Sequence, residues 1–103
     1  MTANAQPCYA SPEKHRETHD RILKLAHEAR DLMRNCKSQY LKRSLALILT
    51  ELHELYVDIL MWRPDEEVCW SEFDARLDSI ERHLNNIYRR CKKLSSTRTS
   101  TPT

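Results

Sequence analysis

The chain is 103 residues long, with 17 Lys and Arg against 15 Asp and Glu for a formal charge of +2, and it contains no glycine. That length holds one hydrophobic core rather than two, and so balanced a charge leaves no electrostatic footprint for nucleic acid, which is not expected as a partner. Without glycine there is no nucleotide-cradling loop, no dinucleotide fingerprint, no nucleophile elbow and no tight two-residue hairpin, since each needs a residue lacking Cβ at a fixed place. The expectation is an all-α protein that is not an enzyme and takes no cofactor.

Residues 1–11 are polar and small with Pro7, and they lack the basic segment and apolar run of a secretory leader. They read as a flexible tail on a cytoplasmic protein. Helix 1 is expected to open at Ser11-Pro12-Glu13, with Ser11 as cap and Pro12 in the first turn. Ile22, Leu25, Ala26, Ala29, Leu32, Met33 and Cys36 recur at three and four and form one stripe, which His15 and His19 extend backwards. The helix should end near Lys37, leaving Ser38 to cap the next.

Helix 2 is expected over about Gln39 to Arg63, stopped by Pro64. Its main stripe is Leu41, Leu45, Ile48, Leu52, Leu55 and Ile59, flanked by Leu49, Tyr56 and Leu60, with Leu47, Val57 and Met61 left over. This arc is wider than one buried stripe. The longest uninterrupted apolar run, Leu45 to Leu49, falls far short of the roughly 18 residues of a membrane span, and no membrane partner is expected.

Helix 3 should begin at Asp65, or at Ser71 if Ser71 and Asp74 form a capping box, and run to about Leu94. Trp70, Phe73, Leu77, Ile80, Leu84, Ile87, Cys91 and Leu94 make a regular seam. Acidic residues crowd its start and Arg89, Arg90, Lys92 and Lys93 its end, as the helix dipole favours. Residues 95–103 are Ser- and Thr-rich and read as a disordered tail. Residues 12–94 would then form a single domain of three long antiparallel helices, up-down-up. Three helices bury little, so a homodimer centred on helix 2 or helix 3 is expected.

Cys8, Cys36, Cys69 and Cys91 contain no C-x-x-C pair. In an up-down-up bundle Cys36 and Cys91 fall at one end and Cys8 and Cys69 at the other, so two disulfides are topologically possible, but a cytoplasmic setting predicts free thiols. The basic groups Lys37, Lys42, Arg43 and Arg89–Lys93 gather at one end as well. Trp62 and Trp70 flank the turn after helix 2 and should close the base of the core.

His15 and His19 stand four apart on one helix face, and His53 and Asp58 lie on the helix that runs back beside them. These two spacings resemble those of hemerythrin-like proteins, a resemblance covering His15, His19, His53 and Asp58 alone and implying a metal-binding helical sensor. The family's remaining histidines and its fourth helix have no counterpart here. His27, in Leu-Ala-His-Glu-Ala-Arg, resembles the helix of phosphotransfer domains, yet the lysine and glycine that follow the histidine there are missing, so it reads as a surface residue.

The leading expectation is a small non-enzymatic regulator that binds a protein partner through Leu47, Leu49, Tyr56, Val57, Leu60, Met61 and Trp62. An example would be an antiactivator that blocks self-association of a transcription factor. The alternatives are the metal sensor and an assembly chaperone or adaptor.

Overall fold

A computed structural model describes residues 8–100, with side chains through Lys93. Its elements are β1 (Tyr9–Ala10), α1 (Pro12–Asn35), α2 (Gln39–Met61), β2 (Glu67–Val68) and α3 (Trp70–Ser100). The three helices form an all-α bundle in which α1 and α3 run parallel and α2 runs antiparallel to both, up-down-up. Of the tails read from the sequence, residues 1–7 and 101–103 lie outside the described residues.

Each helix boundary has a local cause. The Ser11 hydroxyl accepts from the Lys14 N–H at 3.1 Å, with Pro12 in the first turn, and the Ser38 hydroxyl accepts from the Leu41 N–H at 3.2 Å. Each supplies a partner to a backbone N–H that the helix itself cannot satisfy. A glycine-free chain cannot readily end a helix through the left-handed conformation. Cys36 and Trp62 instead turn extended, with ψ of 135° and 140°, while their N–H groups still bond to Leu32 and Asp58.

After α2 the chain turns at Arg63-Pro64-Asp65-Glu66, where the Glu66 N–H donates to the Arg63 carbonyl and the Glu66 carboxylate accepts from the Arg63 N–H. Pro64 sits where a fixed φ favours such a turn. The sequence expectation that helix 3 opens at Asp65 is therefore corrected. Residues 67–68 pair instead with β1, Tyr9 opposite Val68 and Ala10 opposite Glu67. The alternative, a Ser71–Asp74 capping box, is not formed either, because α3 starts at Trp70 and the Asp74 carboxylate is taken by Lys14 at 2.7 Å. The backbone of α3 continues past Leu94 to Ser100.

The core is the three stripes facing inward. Ile22, Leu25 and Ala29 of α1 meet Leu41, Leu45, Ile48, Leu52, Leu55 and Ile59 of α2 and Trp70, Phe73, Leu77, Ile80, Leu84 and Ile87 of α3, all buried. Thr18 continues the α1 stripe below Ile22 and is buried too. Trp70 closes the base, its indole N–H donating to the Tyr9 carbonyl at 3.0 Å, so the largest core side chain keeps its polar atom satisfied. Trp62 packs edge-on against Phe73 with centroids 5.3 Å apart.

All four cysteines are paired, which corrects the expectation of free thiols: Cys8 joins Cys69 and Cys36 joins Cys91. Free thiols follow from a reducing compartment, which the fold does not require. The topology places a thiol beside a thiol at both ends, because α1 and α3 run parallel. Both bridges tie α1's ends to α3. Between them, Lys14 pairs with Asp74, and Arg21 donates to Asp78 at 2.7 Å and Glu81 at 2.8 Å. The hydrogen bond to Asp74 raises the Lys14 pKa above its ordinary value, and the one to Asp78, aided by Glu81, does the same for Arg21. Cys8, Tyr9 and Ala10, in the stretch expected to be a flexible tail, are held by a disulfide, a two-residue ladder and the Trp70 bond.

Candidate functional site: the outer face of helix 2

A helix with 3.6 residues per turn advances about 100° per residue. Leu45, Leu52 and Ile59, seven apart, are fully buried and mark the line of α2 that points into the bundle. The opposite line runs through Tyr40, Arg43, Leu47, Thr50, Glu54, Val57 and Met61, and every one of these is exposed. Leu47 is 71% exposed, Met61 75% and Tyr40 70%. Large apolar side chains left singly in water are ordinary. Here four, Tyr40, Leu47, Val57 and Met61, recur on one line of one helix with Arg43, Thr50 and Glu54 between them, and an exposed apolar surface of this kind is suited to protein contacts.

The seven residues expected to form the partner surface divide into two sets. Leu47, Val57, Leu60 and Met61 stand exposed, whereas Leu49, Tyr56 and Trp62 are half-buried and pack against the core. Tyr56 lies on the α1 side, its ring 5.4 Å from that of His19. The division follows from angle: positions 49 and 56 fall where α1 covers the helix, and position 47 falls where nothing does. Tyr40 and the polar members Arg43, Thr50 and Glu54 were missed by a search for apolar residues. The signal that finds them is the seven-residue offset from the buried line.

The four residues of the metal alternative are not gathered into one site. His15 reaches across to α2, where its Nε2–H donates to the carbonyls of Ile59 at 2.9 Å and Trp62 at 3.1 Å. Both partners are acceptors, so this nitrogen carries the proton and is not a free ligand. His15 is thus a cap for carbonyls at the C-terminus of α2, which the helix leaves without N–H partners. His19 contacts Asp20 and Tyr56. His53 and Asp58 are exposed and five residues apart, about 140° around the helix, so they diverge. Among the described residues no group of three or more His, Cys, Asp or Glu is arranged to hold an ion. His27 is a surface residue beside Asp31 at 3.5 Å.

Charge is separated along the bundle. All 15 carboxylates lie within residues 13–31 or 51–81, and residues 32–50 and 82–103 contain none. The acid-free stretches are the end of α1, the first half of α2 and the second half of α3, which lie at one pole where the Cys36–Cys91 bridge joins α1 to α3. Lys37, Lys42, Arg43, Arg89, Arg90, Lys92 and Lys93 are there. Between α2 and α3 at this pole is an open groove of about 600 Å³ lined by Tyr40, Ser44, His83, Asn86, Arg89, Arg90 and Lys93. The opposite pole carries Glu13, Glu17, Asp58, Glu66, Glu67 and Glu72 and is acidic on balance.

Among the described residues no helix is long and apolar enough to cross a membrane. No protein-family model, curated protein or solved structure matches the chain.

Proposed function

We propose that this chain is a non-catalytic protein-binding module that docks a partner on the outer face of α2. The observation that carries this reading is the exposed line of Leu47, Val57 and Met61, diametrically opposite the fully buried Leu45, Leu52 and Ile59. A partner helix laid along that line would bury apolar side chains that now face water. In its finer form the module is a regulator, an antiactivator that covers the segment through which a transcription factor self-associates.

A second reading, an assembly chaperone or adaptor, uses the same face, and the two disulfides favour it. Paired cysteines persist in oxidising compartments and are rare in the reducing cytoplasm, where a transcription regulator works. On this reading the chain resides in an oxidising compartment rather than the cytoplasm expected from its N-terminus, and its partner is met there.

The test is capture by the oxidised, immobilised chain from its native source, comparing wild type with Leu47→Glu and Met61→Glu. Leu23→Glu, at an exposed apolar position on α1, is the control. A stoichiometric partner lost in both α2 variants and kept by the α1 variant supports docking on α2. Equal capture by all four proteins refutes it.

A further inference from the structure

We propose that the outer face of α2 pairs with the same face of a second copy, antiparallel, about a two-fold axis between Leu47 and Thr50. This rests on the reading of that face as a contact surface and specifies one occupant and one register.

The exposed line repeats as a coiled-coil seam. Tyr40, Leu47, Glu54 and Met61 are spaced by seven, with Arg43, Thr50 and Val57 three residues after the first three. An α-helix with that spacing meets another along a continuous strip. Two of the seam residues are charged with opposite sign, and they select the pairing. Set antiparallel so that Leu47 meets Thr50 of the second copy, the seam places Arg43 against Glu54 of the second copy, and Glu54 against its Arg43. The next layer brings Tyr40 to Val57. Each of these three layers occurs twice, as a two-fold axis requires, and Met61 lies beyond the paired strip at either end. The parallel arrangement in register would instead stack Arg43 on Arg43 and Glu54 on Glu54. Within one copy, neither Arg43 nor Glu54 joins an ion pair among the described residues.

The whole-molecule charge makes the same choice. Antiparallel α2 helices lay the acid-free pole of one copy beside the acidic pole of the other at both ends, and parallel helices would set like poles together. Complementary potentials of this kind fix orientation and exclude wrong registers.

The experiment is sedimentation equilibrium of the oxidised full chain across a concentration series, for wild type, Arg43→Glu, Glu54→Arg and the double variant carrying both. Circular dichroism confirms helix content in each; the substituted positions are exposed. The wild type is expected to dimerise. Each single reversal, which places two like-charge pairs in the seam, should weaken the dimer roughly tenfold or more. The double variant should return to within about threefold of wild type, because the pairs are restored with their signs exchanged. A parallel pairing predicts no loss on single reversal, since like already faces like.

A wild type that stays monomeric, single reversals without effect, or a double variant no better than the singles would each overturn the proposal. Failure here is separable from failure of the partner reading. A monomeric wild type that still loses its captured partner on Leu47→Glu would retain α2 as the docking face and dismiss only the second copy.

Discussion

Removal of one disulfide tests the architecture most directly. Cys36 and Cys91 are separated by 55 residues and Cys8 and Cys69 by 61. A crosslink that closes a loop of that size lowers the entropy of the unfolded chain enough to contribute roughly 4 kcal/mol at 25 °C. Domains of this size have total stabilities of about 5–15 kcal/mol, so either bridge is a large share. For Cys36→Ala with Cys91→Ala the predicted loss is about 4 kcal/mol, and a drop in Tm of roughly 20 °C. Because the closure term depends on the logarithm of loop length, the Cys8–Cys69 pair should cost the same within about 0.1 kcal/mol on chain entropy alone. Any larger difference between the two double variants would then measure local effects, such as loss of the β1–β2 ladder beside Cys8. Urea unfolding followed by circular dichroism measures both quantities, and the slope should rise as the unfolded chain loses its constraint. A loss below about 1 kcal/mol for both pairs, in protein shown by mass to be fully oxidised beforehand, would refute the argument that α1 and α3 are held by covalent closure.

The two sides of α2 should respond in opposite ways to truncation. Leu52→Ala removes a side chain that is 1% exposed and should cost about 3 kcal/mol in urea unfolding. Leu47→Ala should change stability by less than about 0.5 kcal/mol; equal losses would place Leu47 in the core and remove the docking face. His15→Ala leaves the Ile59 and Trp62 carbonyls without their side-chain donor and should cost about 1 kcal/mol. An unchanged unfolding midpoint would show that water replaces the imidazole at no cost.

Helix number, direction and the buried stripes were legible because strict three-four spacing leaves little choice about which side chains face inward. The caps at Ser11 and Ser38 were legible because a hydroxyl beside an apolar run has few other uses. The start of α3 was legible only in the second of two options, Ser71, one residue from the observed Trp70. Acidic residues 65–67 suit a helix N-terminus, yet Cys69 is bridged to Cys8, and the chain before Trp70 is drawn into a ladder with Tyr9 that no local pattern announces. The same long-range tie hid the order of residues 8–10. The exposed face of α2 was half legible: apolar surplus pointed to α2, but hydropathy alone grouped Leu49, Tyr56 and Trp62 with Leu47 and Met61. The neighbouring helices separate them, with α1 beside Tyr56 and Phe73 of α3 beside Trp62. His15 looked like a ligand because its partners are backbone carbonyls, which a reading of side-chain types cannot see.

Both disulfides and the Lys14 and Arg21 ion pairs connect α1 with α3, and none of them touches α2. The bundle is thus a covalently clamped pair of parallel helices with the third held mainly by burial, by the His15 cap at its C-terminus and by a half-exposed contact of Arg76 with Glu51 at 3.5 Å. This division suits a docking helix. The face that α2 offers is set by the rotation of its buried line against α1 and α3, and the clamp keeps those two in fixed register whether or not a partner is present. A chain of this length has a thin core, and α2 could turn its exposed apolar line inward only if α1 and α3 moved apart. The crosslinks remove that alternative by limiting how far α1 and α3 can separate to admit more side chains. On this view the disulfides serve the surface of α2, to which they are not attached.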